Sequence, residues 1–381
     1  MTPASWTLRC SACDTAAERD RASVCGACGQ PLFARYAPVP KGTPLADRWD
    51  AWRYAPFMPL EVGEVPVSLG EGLTPMIESP ALAAATGVRR LWIKDESQNP
   101  TVSFKARGMS AAVTRAKAQG YPGLVVPTAG NAGAALAAYG AAAGLPVRVF
   151  APRTTPRPIL DTIEALGATL VRIEGHIGDA GKLAIAYAAE SGYFNVSTLR
   201  EPYRVEGMKT MGFEMAEQLG WRLPDALVYP TGGGEGTIGI WKAINELMAG
   251  GWLPEGAKQP RYVVAQAAGC APIARAFAAH EDRATPWVDP VTYASGLRVP
   301  SPLGDRLLLR VLRETNGIAD TASEEAIRDW TLRLATATGI DAAPEGGCAL
   351  SVLHDAVTAG TLSADAEVVV FNTGSGASYR A

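Results

Sequence analysis

A chain of 381 residues, 48% apolar and 19% charged, is long enough for two domains around substantial cores and too apolar for a disordered protein. A formal net charge of −3 offers no broad attraction to nucleic acid or an anionic membrane, so the expected partner is a small molecule. The longest apolar run, 132–145, is interrupted by Gly140 and Gly144 and is too short to span a bilayer. Residues 1–8 show no basic region followed by an apolar one, so no signal peptide is expected and the cytoplasm is the expected location.

The chain opens on Cys10, Cys13, Cys25 and Cys28, spaced C-x2-C-x11-C-x2-C. Two knuckles of this spacing place four thiolates tetrahedrally around Zn²⁺, with Gly26 and Gly29 for tight turns, and a four-thiolate site leaves no open position for catalysis. The alternative is four reduced surface thiols. Cys270 and Cys348 are isolated. The stretch 31–66, rich in Pro, Trp and Tyr, reads as an irregular arm, and its aromatic part, 49–58, is a surface for a second subunit.

Regular alternation begins near Val88. Short apolar β-type runs are expected at 91–93, 124–126, 147–150, 169–173, 226–229, 262–265 and 368–371. Helices are expected between them at 106–119, 133–143, 159–166, 179–190, 209–219, 237–248 and 323–338. Strands alternating with helices, apolar on both faces, predict parallel sheets covered on two sides, hence an α/β protein.

Chemistry concentrates where these strands give way to helices, the place α/β proteins put ligands. Asn99-Pro100-Thr101-Val102-Ser103-Phe104-Lys105 sets a lysine at a helix start. Lysine there is commonly a solvated cation, yet it alone among side chains condenses with an aldehyde to an imine. In Thr128-Ala129-Gly130-Asn131-Ala132-Gly133 the glycines admit a ligand close to the backbone, while Asn131 either caps the helix or binds a ring hydroxyl. Thr231-Gly232-Gly233-Gly234-Glu235-Gly236-Thr237 carries four glycines in five residues, more than a turn needs, and points to amides converging on a phosphate. Gly234-x-Gly236-x-x-Gly239, with Glu255 further on, also matches a dinucleotide fingerprint, whereas no Walker lysine is present. Thr373 follows the last apolar run, where its hydroxyl is either part of a surface turn or aimed at a ring nitrogen. His176, His280 and His354 are scattered without triad partners, and Asp95 and Glu96, adjacent on a strand, point to opposite faces.

Leu69-Gly70-Glu71-Gly72-Leu73-Thr74-Pro75, Ser103-Phe104-Lys105, Ala129-Gly130-Asn131, the glycine loop and Thr373-Gly374-Ser375-Gly376 occur in the order found in fold-type-II pyridoxal-phosphate (PLP) enzymes. The chain resembles that tryptophan synthase β superfamily from about Leu69 to Tyr379. The cysteine knuckles, Asn99-Pro100-Thr101 and Tyr203-Arg204-Val205-Glu206-Gly207-Met208-Lys209-Thr210 make it most similar to the threonine synthases.

The resemblance implies two three-layer domains with parallel-type sheets and an N-terminal zinc-ribbon-like segment: 1–38 for the ribbon, 39–106 with 207–381 for a large PLP-binding domain, and 107–206 for a small mobile one. It implies a homodimeric PLP lyase converting O-phospho-L-homoserine and water to L-threonine and phosphate. Lys105 would hold the cofactor as a Schiff base and act as base at the substrate α-carbon. Asn131 would bond the ring hydroxyl, Gly232, Gly233, Gly234, Glu235, Gly236 and Thr237 would hold the phosphate, and Thr373 would meet the ring nitrogen. Thr128, Ala129 and Gly130 would receive the substrate carboxylate and Arg204 the substrate phosphate.

The sequence departs from that pattern at Ala106, where threonine synthases carry Asp, at Ala129 and Ala132, where a second hydroxyl is usual, and at Thr198-Leu199-Arg200, where Asn and Ser are usual. Arg200 either supplies the missing phosphate contact or is a solvent charge. The glycine loop also resembles that of serine/threonine dehydratases. A dehydratase or a β-replacement enzyme therefore stays open as a second reading, and a nucleotide-binding protein with a metal knuckle as a third.

Overall fold

The computed structural model describes residues 5–19 and 23–380, so the start of the 1–8 stretch lies outside the described residues. Strands β1 (Trp6–Cys10), β2 (Ala16–Ala17) and β3 (Leu32–Tyr36) form an antiparallel sheet ordered β2-β1-β3, whose turns carry the cysteines. Strands β4 (Met76–Glu78) and β5 (Arg90–Asp95) follow. Then β6 (Leu124–Pro127), β7 (Val147–Pro152), β8 (Thr169–Ile173) and β9 (Phe194–Asn195) make a parallel sheet ordered β8-β7-β6-β9. Finally β10 (Ala226–Pro230), β11 (Arg261–Ala267), β12 (Ile318–Ala322) and β13 (Glu367–Asn372) join β4 and β5 in the order β12-β11-β10-β13-β5-β4. Every pairing in this sheet is parallel except β4 with β5.

Around the sheets lie α1 (Pro80–Thr86), α2 (Lys105–Ala118), α3 (Asn131–Ala143), α4 (Arg157–Ala165), α5 (Ile177–Ser191), α6 (Arg204–Gln218), α7 (Glu235–Ala249), α8 (Pro272–Ala278), α9 (Asp305–Glu314), α10 (Glu324–Thr338) and α11 (Pro344–Thr358). The strand period of two sorts the central strands between two cores. Leu227, Tyr229, Val369 and Phe371 pack with α6, α7 and α9. Val228, Val368 and Val370 pack with α1, α10 and α11. Each buried Val, Leu or Phe contributes roughly 1.5–3 kcal/mol, and two apolar faces per strand demand this three-layer plan.

The α/β architecture and the expected strands are all present, and the expected helices fall on α2 to α7 and α10, four of them one residue past an observed end. Six strands (β1, β2 and β3 of the cysteine segment, with β4, β9 and β12) and four helices (α1, α8, α9, α11) escape the sequence reading. β9 has two residues, too few to show a period. Helix α11 begins Pro344-Glu345-Gly346-Gly347, and paired glycines read as a loop. They are helical here, and glycine is required at 347 because a side chain there would collide with Ile327 and Thr331 of α10. Helix α6 starts at Arg204, five residues before its expected start, because Glu201 accepts from the Tyr203 and Arg204 amides and caps the turn. The arm at 31–66 holds β3 and a 3-10 turn, Ala51–Phe57. Its Trp52, Tyr54, Phe57 and Met58 are buried in their own chain, leaving Trp49 (89% exposed), Val62 and Val65 to solvent.

Helices α2 and α6 cross backbone to backbone. Any side chain on Gly207 would meet the Arg107 carbonyl, and one on Gly108 would meet Met208. Beneath the crossing lies a sealed charge cluster. Arg107 donates to Glu96 (2.6 and 2.8 Å), Glu214 (2.6 and 2.8 Å), Thr210 and Thr74. Lys94 adds a bond to Glu214 at 2.9 Å. Glu96 thus leaves the strand to pair with Arg107, two residues past Lys105.

Candidate active site

Lys105 is the first residue of α2, and the loop before it is pinned to the loop after β13. The Phe104 amide donates to the Thr373 carbonyl (3.1 Å), and the Ser375 amide donates to Val102 (3.0 Å). The splice forces Thr101 and Val102, both β-branched, into positive φ (57° and 51°), a strain that this crossed-loop arrangement must hold. Lys105 and Thr373, 268 residues apart in sequence (373 − 105), therefore face one cavity of about 440 Å³.

That cavity lies at the C-terminal ends of β6, β10 and β13, between the two parallel sheets. It gathers Lys105, Thr128, Ala129, Gly130, Asn131, Gly232, Gly233, Gly234, Glu235, Gly236, Thr373 and Arg200 from the sequence reading. Two expected residues are not on its wall. Thr237 is buried, its hydroxyl 3.1 Å from that of Thr231. Arg204 is fully buried, donating to the Val196 carbonyl (2.8 Å) and to Glu235 Oε2 (2.7 Å). Asn131 does not cap α3 with its side chain; Gly130 is the cap residue. Thr128 builds the turn instead, its hydroxyl accepting from the Gly130 and Gly133 amides.

The glycine loop is shaped for an anion. Gly234, at φ +83°, caps α7 in the left-handed region. Side chains on Gly234 and Gly236 would run into Leu308 and Tyr229. The Gly232, Gly233 and Gly234 amides donate to no group among the described residues, and the first turn of α7 adds further free amides and the positive end of its dipole.

Burial pushes Lys105 down to about 8; the Glu235 carboxylate opposes the shift and Arg204 adds to it. Its side chain keeps 21% of its surface open to the cavity, with Nζ 4.0 Å from Glu235 Oε2 and 4.2 Å from the Phe104 ring centroid. Burial likewise raises Glu345, which accepts from the Gly296 amide (2.9 Å) and the Tyr379 hydroxyl (2.5 Å). Glu235 Oε1 and Glu345 Oε2 are buried without a hydrogen-bond partner. An amine that is about half neutral near pH 8, an amide cradle and a hydroxyl at the opposite wall together fit a phosphorylated ring aldehyde.

Residues 67–374 match the family described as pyridoxal-phosphate dependent enzyme. A threonine synthase of Methanosarcina acetivorans is 34% identical over 326 residues, covering 85% of this chain and 78% of the relative. One from Methanocaldococcus jannaschii is 31% identical over 326 residues, covering 85% and 80%. The chain belongs to the threonine synthase family of PLP-dependent enzymes. Maize serine racemase shares the fold (TM-score 0.68, 21% identity, covering 80% of this chain and 88% of that one).

The match to a PLP-dependent family replaces the dinucleotide reading with PLP as the cofactor. Gly239 packs on Met208 of α6, and Glu255 is exposed in the turn before β11. Glu345 and Ser295, both on the cavity wall, were not visible as site residues. The one sequence signal for Glu345 was an acid directly after a helix-starting Pro344.

The cysteines converge. All four Sγ atoms lie within 4.8 Å of one another, with separations of 3.4 Å (Cys10–Cys28), 3.5 Å (Cys13–Cys28) and 3.7 Å (Cys13–Cys25). A tetrahedron with Zn–S of 2.3 Å requires sulfurs roughly 3.8 Å apart. The Ala12 and Cys13 amides point at Cys10 Sγ (3.4 Å each), as a metal-bound thiolate needs. Among the described residues no helix is long and apolar enough to cross a membrane.

Proposed function

We propose that the chain converts O-phospho-L-homoserine and water to L-threonine and phosphate. The observation that carries this reading is a guanidinium on the cavity wall with no carboxylate partner among the described residues. Arg200 shares the cavity with Lys105, whereas Arg204 is already committed to Glu235. Arg200 therefore takes the substrate phosphate in place of Arg204. Guanidinium binds such an anion bidentately.

PLP, when bound, supplies an electron sink for the carbanion formed beside the substrate nitrogen. Lys105, with a value of about 8, holds and releases a proton near physiological pH and is the base at the substrate α-carbon. The free amides of Gly232 to Gly234 and the start of α7 grip the cofactor phosphate. Asn131 and Thr373 orient the ring from two sides, and the Thr128–Gly130 turn receives the substrate carboxylate. Cys10, Cys13, Cys25 and Cys28 hold a structural zinc. The expected homodimer uses the exposed Trp49, Val62 and Val65 rather than the buried part of the arm, in a cytoplasmic enzyme.

A panel of substrates tests the reading. Phosphate release from O-phosphohomoserine is expected, with little 2-oxo acid from threonine or serine. The second reading, a dehydratase or β-replacement enzyme, is favoured by the Arg204–Glu235 pair, which withdraws one phosphate ligand. Oxo acid without phosphate release would establish a dehydratase, and turnover of 3-substituted serines to new amino acids without oxo acid a β-replacement enzyme.

A further inference from the structure

The segment between β9 and α6 is a thin wall. On one side Ser197, Thr198 and Arg200 face the active-site cavity. On the other, Arg200 also borders a second cavity of about 360 Å³, together with Ser23, Phe194 and Asn195. A wall with a void on each side is packed at only some of its residues, here through Val196 and Leu199, while Arg200 lies between the two voids. Its backbone is also strained, since Leu199 sits at φ +59° with its side chain buried in the main core. What holds such a segment in place matters for any ligand that Arg200 binds.

The cysteine ribbon supplies a hold from outside. Ser23, two residues before Cys25, donates its hydroxyl to the Arg200 carbonyl at 3.0 Å. The ribbon is itself clamped to the body at three places before this contact in the chain. Arg310 of α9 donates to the Ser11 carbonyl (3.1 Å), Tyr203 donates its hydroxyl to the Arg19 carbonyl (2.9 Å), and Trp6 packs edge-on against Tyr203. Backbone bonds close the knuckle that follows Ser23 (the Cys25 amide to the Gln30 carbonyl, 2.9 Å, and the Gly29 amide to the Cys25 carbonyl, 2.8 Å), and the four free thiols face one another between it and the Cys10–Cys13 turn. A metal bound by those sulfurs ties the two turns together and steadies the segment at Ser23.

We propose that the metal knuckle is a positioning element of the active site: through Ser23 it fixes the backbone of Arg200 and thereby the substrate-anion contact. The inference rests on the reading that Arg200 receives the substrate phosphate. Ser23 touches neither substrate nor cofactor, so its effect falls on affinity and not on the chemical step.

The test compares Ser23→Ala, Ser23→Thr and Arg200→Ala in the PLP-loaded, full-length enzyme. KM and kcat for O-phosphohomoserine are measured with the dissociation constant of inorganic phosphate by calorimetry, the bound zinc and the melting temperature. Ser23→Ala is expected to keep its zinc and its melting temperature while raising KM and the phosphate constant roughly 2- to 10-fold, the loss of one hydrogen bond. Its kcat stays within about twofold, and Ser23→Thr restores affinity. Withdrawing zinc from the wild type by chelation is expected to weaken phosphate binding by the same factor, and to add nothing in Ser23→Ala, since both act through one contact. Unchanged affinity in Ser23→Ala, beside a weakened Arg200→Ala, overturns the coupling alone. Unchanged affinity in Arg200→Ala overturns the phosphate assignment and the coupling with it. Equal weakening by chelation in wild type and Ser23→Ala also overturns it, because the metal then acts by another route.

Discussion

Two charged side chains separated by one residue on α2 have opposite surroundings. Arg107 faces away from the cavity into a sealed cluster, where Glu96 and Glu214 each take two of its hydrogen bonds and both are fully buried. Lys105 faces the cavity, partly open, 4.0 Å from the Glu235 Oε2 that Arg204 already holds, while the other oxygen of that carboxylate has no partner among the described residues. In the first region burial would raise Glu214, yet Arg107 and Lys94 hold it down at about 2. In the second, burial wins and Lys105 falls to about 8. Saturated charges build the scaffold; charges left short of partners mark where a ligand completes the set.

Four experiments break or sharpen this contrast. Lys105→Ala is expected to abolish turnover and the cofactor absorbance near roughly 410–430 nm while leaving the fold intact. A protein that keeps that band would place the covalent attachment elsewhere. Arg107→Met is expected to do the reverse, costing about 3–5 kcal/mol of stability because two buried carboxylates lose their counter-ion. Urea unfolding measures it, and a loss below about 1 kcal/mol would show that water enters the cluster.

Smaller effects test the cradle and the amine. Gly234→Ala must place a side chain at φ +83° against Leu308. It is expected to weaken retention of PLP by about 1–2 kcal/mol of backbone strain, read by equilibrium dialysis. The last concerns pH. Lys105 sits at about 8 rather than 10.5, so its neutral, reactive form becomes abundant as pH rises through about 8. The rate of PLP uptake by cofactor-free protein is expected to level off above that pH. A rate still climbing toward 10.5 would mean that the amine is not desolvated.

Much of this was legible before any coordinates. The strands at 226–229 and 368–371 declare themselves because both faces are apolar, and the four glycines between Gly232 and Gly236 are too many for a turn. Lys105 itself was ordinary until its motif was seen in order with the others. Less legible were residues whose role depends on what stands opposite. Glu345 follows a proline in a helix that glycines disguise, and its place beside Lys105 arises only when α11 packs under β13. Arg204, named for the substrate, was claimed by Glu235 from 31 residues away, a partner that no local pattern reveals.

The sequence by itself determined the layered α/β plan, a phosphate-binding loop and the cysteine cluster, because hydrophobic period, glycine density and thiol spacing are local properties that survive without a partner; the cofactor class followed from the resemblance of its ordered motifs to a known family. Only the tertiary structure decided which charges are spent on the scaffold and which face the cavity. That choice depends on approach between distant segments, such as Val102 against Ser375 and Arg107 against Glu214, and burial then sets both the price of an unpaired charge and the proton affinity of the amine.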